Sequence, residues 1–501
     1  MLEISLLTLI FLPIIAGLIV LTPVFSDNQV FIRRFSVYFA IIHTIFSLMF
    51  FLLGPNIDVR NVDCISCIFA PDFKAAIPFI DNNILNQIGI HVSFGIDRLS
   101  ILMVILTTLI TTFTIIGSKL YVKKHFKYFY SLIFFLESIL LGIFTTTDMF
   151  VFFTLWELEL IPMYLLISIW GNHSAKKSAL KFVLYTFGGS LFLLLGILLV
   201  YFTNFAVTGI LTADITQISM NRVNLLLQLI ISLFLIIGFG VKVPIFPLHK
   251  WLADTHTNAS TPVSMLLAAV LLKLGIYGIM RFNFGLLTLG FTVLSPVLGL
   301  LAVINIIYGA AVAYYQKDIK RIVAYSSISQ MGLILLGGVS LTNIGYTGAV
   351  YHMISHGLVA AGLFFVVGII KQRFHTTNIN RLSGIASIAP RLYGFSMVIV
   401  LSAAGIPFLS GFIGEFLSIY GALISSLLVF KLYAVIAVFI LILSALYLMK
   451  PVHEVFFGIL PDKYKNIQDI AVHEFVVLAA ISFIIILLGC FPFVIVNFLN
   501  V

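Results

Sequence analysis

Glu137, Glu157, Glu159, Lys242, Lys273, Glu415 and Lys431 all stand inside long apolar runs where no water is at hand. A charge at the centre of a bilayer costs about 2.5–3.5 kcal/mol on insertion scales, so such residues usually face a bundle interior or water and mark ion pathways. The competing reading is an inert pair that orients helices, or a lysine that snorkels from a helix end. Glu137 and Lys431 fit either reading equally. Lys273, in "MLLAAVLLKLGIYGIMRF", lies too deep in its run to snorkel easily.

Lysine beside carboxylate in such a place suits proton chemistry. Desolvation lowers the lysine's proton affinity and raises the carboxylate's, while pairing opposes both, so changing partners switches proton binding near neutral pH. Sodium chemistry would instead call for carboxylates and freed carbonyls. In "SLFLIIGFGVKVPIFPLHKWL", Lys242 sits next to Pro244 and Pro247, where a helix break lets water reach it. "TLWELELIPMYLLISIWG" puts Glu157 and Glu159 two residues apart, which on a regular helix separates them by about 200°. One should face the polar interior and the other take a separate partner, and the pattern does not choose between them. His352 and His356 share one helix face at i and i+4 and read as a relay. His249 and His256 flank the loop after the Lys242 segment and read as interfacial. No nucleotide-binding glycine motif, multi-cysteine cluster or Ser–His–Asp grouping stands out.

These residues must be carried by membrane helices. Of 501 residues 61% are hydrophobic and 9% charged, against about 25% charged in soluble domains. Continuous apolar runs of about 20 residues exclude a barrel and imply an all-α integral membrane protein. We place about 14 spans, the first a retained helix rather than a signal peptide. Twenty lysines and arginines fall after odd-numbered spans, and only Arg60, Lys74, Arg222 and Arg281 after even ones. That bias puts the odd loops on the cytoplasmic (or matrix or stromal) side and both termini on the far side. It also accounts for the net charge of +9 without nucleic acid. Cys64 and Cys67 form a CxxC in an outer loop at about 54–96, a candidate disulfide but too few ligands for a metal. Cys490 reads as packing in the last span.

A weak internal echo links "GFGVKVPIFPLHKWL" in span 7 to "SAAGIPFLSGFIGEFL" in span 12. Each is an apolar segment broken by Gly and Pro, at Pro244 and Pro247 in one and Pro407 in the other, with one charge nearby. Paired interruptions of this kind point to two inverted-type repeats with two discontinuous helices.

The motifs "WELELIPMYLLISIWG", "VKVPIFPLHKWLADTH", "AAVLLKLGIYG", "DIKRIVAYSSISQMG", "MISHGLVAAGLFF" and "LSGFIGEF" resemble the antiporter-like membrane subunits of respiratory complex I. The similarity spans about residues 95–458 and is nearest to chain M, the subunit 4 or plastid chain 4 type. It implies a proton-translocating subunit of an NADH-quinone or plastoquinone oxidoreductase, in which proton transfer runs through Glu157, Lys242, Lys273, His356 and Glu415. It also settles the choice between the glutamates in favour of Glu157. NADH, flavin, iron–sulfur clusters and quinone are expected in partner subunits, with no cofactor or metal in this chain. The expected partners are other membrane-arm subunits, neighbouring antiporter-like chains above all, and lipid. The membrane would be an energy-transducing one: bacterial inner, thylakoid or mitochondrial inner. The alternative is a subunit of a multisubunit Na⁺ or K⁺/H⁺ antiporter, whose members typically carry lysine at the Glu415 position. One departure is Gln330, where chain M members often have histidine, so His352 is expected to share the lost role. The corresponding division is 1–125 for the N-terminal helices, 126–286 and 287–458 for two five-helix repeats, and 459–501 for a C-terminal helix.

Overall fold

The computed structural model describes residues 2–22, 28–52, 73–76 and 87–500. Cys64, Cys67 and most of the expected outer loop lie outside them. Among the described residues twelve helices are long and apolar enough to cross a membrane, with shorter apolar helices at Ser5–Leu21 and Pro390–Ala403. The chain is an all-α, multi-pass membrane protein.

In chain order the helices are α1 (Leu2–Leu21), α2 (Gln29–Leu52), α3 (Arg98–Gly117), α4 (Phe126–Thr145), α5 (Met149–Leu158) and α6 (Leu160–Trp170). α7 (Ala175–Thr208), α8 (Leu225–Lys242) and α9 (Leu252–Asn258) follow. Then come α10 (Thr261–Phe284), α11 (Thr288–Tyr315), α12 (Ile319–Val339) and α13 (Asn343–Phe374). The chain closes with α14 (Pro390–Ala403), α15 (Ser410–Leu423), α16 (Leu428–Phe456), α17 (Val472–Cys490) and α18 (Phe493–Asn500). The described sheet is one antiparallel pair, Phe73–Ala76 against Ser93–Ile96, with Phe73 opposite Ile96.

Helices α10 and α13 are buried along their whole apolar windows, whereas α7 and α16 turn much of theirs outward. Polar function therefore has its shelter at α10, α12 and α13. Side chains on the outer helices, such as Lys431, are exposed. Cys490 is exposed too, at the end of α17, and does not pack inside as its apolar run suggested.

Both expected interruptions are present. Span 7 divides into α8 and α9 around 243–251, and span 12 divides into α14 and α15 around 404–409. Proline supplies the cause, since it removes a backbone donor and crowds the preceding turn. Broken backbone at membrane depth needs partners from the protein. Asn305 of α11 supplies them at the first break: its Nδ2 donates to Pro244 O at 3.2 Å, and its Oδ1 accepts from Phe246 N at 2.7 Å. Trp251 Nε1 donates to Val241 O at 2.9 Å. Close helix approach holds the same region, because a Cβ on Gly275 of α10 would meet Phe239 O at 2.7 Å. At the second break Gly405 has φ +71°, a conformation that glycine adopts without strain.

Arg281 departs from the sequence reading. It is no loop residue but is buried inside α10 and ion-paired with Asp97, the N-cap of α3.

The clamp at the first break is directly testable. Asn305→Leu leaves a buried N–H and a buried C=O unpaired, at about 1–3 kcal/mol for each group. The thermal midpoint of the purified protein should fall by several degrees, and Asn305→Gln should recover part of the loss.

Candidate functional site: a buried polar axis

The first cluster gathers at the end of α8. Lys242, 1% exposed, is the last residue of that helix and lies over the Trp156 ring at 4.0 Å from its centroid. Its ammonium forms an ion pair with Glu159, which is fully buried. This corrects the sequence reading, which turned Glu157 to the polar interior and gave Glu159 a separate partner. Glu157 is only partly buried; its carboxylate lies within electrostatic reach of Lys242 and near Ser190, and its Oε1 makes no hydrogen bond.

The helix runs on through this point: Glu159 keeps helical dihedrals (φ −63°, ψ −23°), and Met149–Trp170 forms one span. The two glutamates therefore leave the helix at different angles, as the spacing predicts. Glu159 meets Lys242 directly, while Glu157 bears on the same charge from the side.

Lys273 forms the second cluster. It sits in α10 between two π-helical segments, Leu267–Leu271 and Ile279–Phe284. Wide turns of this kind leave carbonyls free, and Lys273 Nζ donates to Ala268 O at 2.6 Å. It also lies 2.8 Å from His356 Nδ1, and both side chains are buried. His256 approaches from the α9 side. It is fully buried and stacks on Phe364 with ring centroids 4.4 Å apart. His249 is 3% exposed. Both histidines are covered by neighbouring helices, while Asp254 between them pairs with Lys181 and Arg321 at the starts of α7 and α12.

Glu415 of α15 anchors the third cluster, at the second break. Gln330 Nε2 donates to Glu415 Oε1 at 2.9 Å and to Ala403 O at 3.3 Å, the latter near the broken end of α14. His352 lies one turn from His356, with ring centroids 6.4 Å apart. A small cavity of ≈ 20 Å³ is lined by Gln330, His352, His356, Ser402 and Glu415 among others. About 10–15 Å³ is enough for one water. Histidine, amide and carboxylate thus line one small cavity, with Gln330 bonded directly to Glu415 and not to His352.

The structure therefore brings Lys242 together with Glu159, Lys273 with His356, and Gln330 with Glu415, while the last cavity joins His352 and His356 to Glu415. Pro244, Pro247 and Pro407 lie in the two breaks that open this axis.

Fold and site together define a class: a multi-pass membrane protein with two broken helices and three clusters of buried charged and polar side chains. The family described as NADH:quinone oxidoreductase/Mrp antiporter, TM, matches residues 146–441. NADH-quinone oxidoreductase subunit M of Rickettsia typhi is 36% identical, covering 99% of this chain and 97% of its own. NAD(P)H-quinone oxidoreductase chain 4 1 of Synechococcus sp. (strain JA-2-3B'a(2-13)) is 42% identical, covering 74% and 70%. A chain of respiratory complex I from Thermus thermophilus superposes with a TM-score of 0.84 at 27% identity, covering 99% of both chains. A chain of the Mrp complex from Dietzia sp. DQ12-45-1b shares the fold at TM-score 0.85 and 19% identity, covering 100% and 96%. The chain belongs to the antiporter-like membrane subunit family, with the subunit M and chain 4 proteins of NADH-quinone oxidoreductase among its relatives.

Glu159 and Glu157 now have distinct expectations. Removing one partner of a buried ion pair leaves an uncompensated charge, at about 3–5 kcal/mol. Glu159→Leu should destabilise the purified protein by that order in a denaturation series, and Glu157→Leu by clearly less.

Proposed function

We propose that this chain is the proton-translocating, antiporter-like membrane subunit of a complex I type NADH-quinone oxidoreductase. The observation that carries the reading is the set of buried clusters, Lys242 with Glu159, Lys273 with His356 and Gln330 with Glu415, within a chain of the subunit M and chain 4 family. Electron transfer takes place in other subunits, which hold flavin, iron–sulfur clusters and quinone. This chain sits beside other membrane-arm subunits in an energy-transducing membrane, with both termini on the non-cytoplasmic side. Residues 126–286 and 287–458 act as the two inverted halves, each opened by one broken helix.

In this reading Lys242 is held by Glu159 and drawn by Glu157, so that movement at the break shifts the lysine between two carboxylates. Loss of a carboxylate partner lowers the lysine's hold on its proton. The released proton reaches Lys273, which shares hydrogen bonds with Ala268 and His356. His356 and His352 pass it across the small cavity to Glu415. Gln330 has an amide that carries no proton at physiological pH, so it orients Glu415 and relays only through water.

Glu157→Gln keeps the volume of the side chain and removes its charge. In the assembled complex reconstituted into vesicles, most proton movement per quinone reduced should be lost while the chain remains folded. Glu159→Gln should also impair movement, because Lys242 then loses its direct partner. Full proton movement in both variants would overturn the reading. A purified assembly without iron–sulfur clusters that exchanges Na⁺ or K⁺ for H⁺ would place the chain among the antiporter subunits instead.

A further inference from the structure

A second buried titratable pair lies away from this axis. His43 is near the middle of α2 and Glu137 near the middle of α4, at 0% and 1% exposure. His43 Nδ1 is 3.0 Å from Glu137 Oε1, and His43 Nε2 is 2.9 Å from the carbonyl of Leu9 in α1. Pro13 explains why that carbonyl is available. In a regular helix Leu9 O would accept from the N–H of residue 13, and proline has none.

Counting hydrogens fixes the state of the pair. A carbonyl oxygen only accepts, so Nε2 must carry a hydrogen. Nδ1 then faces a carboxylate oxygen, and two bare lone pairs at 3.0 Å would repel. A second hydrogen therefore lies between them, whether as imidazolium with carboxylate or as imidazole with carboxylic acid. The pair is neutral overall and holds one exchangeable proton. Glu137 Oε2 is buried and has no hydrogen-bond partner, so a second acceptor stays open.

One helix, α3, packs against the helices of this pair and against those of the axis. Hydroxyls line the contact between α2 and α3, with Thr44 Oγ1 2.8 Å from Thr112 Oγ1 and Ser47 Oγ 2.8 Å from Thr108 Oγ1. The hydroxyls of Thr111 and Thr114, also on α3, are buried without partners. α3 also packs against α10, which carries Lys273, and α13, which carries His356. At that contact a Cβ on Gly357 would meet both Leu106 and Ala269 O.

We propose that His43 and Glu137 form a proton-holding site that exchanges with the Lys273 region across the α3 hydroxyls. Pro13 and the Leu9 carbonyl act as positioning elements that fix the imidazole tautomer. The inference rests on the proton-translocating reading above.

The test uses the assembled complex in vesicles and reads protons moved per quinone reduced. Glu137→Gln should lower that ratio while quinone reduction and assembly persist, and Glu137→Asp should recover part of it. Pro13→Ala touches no titratable group, yet gives Leu9 O a helical partner and frees His43, so it should lower the ratio as well. If Glu137→Gln fails to assemble, Pro13→Ala decides. Parental ratios in the assembled variants would overturn the inference and leave an inert pair that ties α1, α2 and α4 together. Lys242→Met separates the two claims: if it lowers the ratio and these variants do not, only this inference falls. If it too leaves the ratio unchanged, the proton-translocating reading fails with it.

Discussion

Inside hydrocarbon no water stands ready to satisfy a freed amide, carbonyl or charge, so each must find its partner within the protein. That constraint organises the whole axis. Prolines open the backbone at 243–251, and Asn305 closes the account with one donor and one acceptor. Lys242 ends α8 at that opening, where Glu159 and the face of Trp156 receive its charge. Lys273 takes a carbonyl that a π turn leaves free. Gln330 ties the broken end of α14 to Glu415. Each of these irregularities is thus matched by a polar side chain: an amide at either break, and Lys273 at the π turn.

The same constraint explains why the axis lies where it does. Helices buried on every side, α10 and α13 above all, can carry Lys273, His352 and His356 because no lipid reaches them. Outer helices carry apolar faces toward lipid or neighbouring chains, and Lys431 on such a helix is exposed. Burial alone does not make a group part of the path. Arg281 and Asp97 are equally buried, but they are joined to each other and cap the start of α3, a fixed pair of the kind that orients helices.

Much of this was legible in the sequence. The apolar runs indicated the helices, and the Gly and Pro clusters around Pro244, Pro247 and Pro407 indicated both breaks because a proline removes a backbone donor locally; single prolines such as Pro13 and Pro296 stay inside continuous helices. The depth of Lys273 and the i, i+4 spacing of His352 and His356 placed those residues inside. Facing was harder. Helical geometry set Glu157 and Glu159 on different sides of one continuous helix, but which side meets Lys242 depends on how α8 packs against it, which no local pattern encodes. The π segments flanking Lys273 have no equivalent local signal, since they depend on packing against α13 and α8. Asn305 and His43 were likewise invisible as partners, because each meets a carbonyl freed by a proline far away in the chain.

The central claim is that the buried charges form one conducting order and that Lys273 is its middle. Lys273→Met keeps length and apolar packing while removing the ammonium that joins Ala268 O to His356. The decisive measurement is proton movement by the assembled complex in sealed vesicles during quinone reduction, with Lys273→Met beside the parent and Lys273→Arg. The account predicts that Lys273→Met assembles, moves markedly fewer protons per quinone, and is not restored by Lys273→Arg, whose guanidinium holds its proton too tightly to pass it on. An unchanged ratio in assembled Lys273→Met would contradict it.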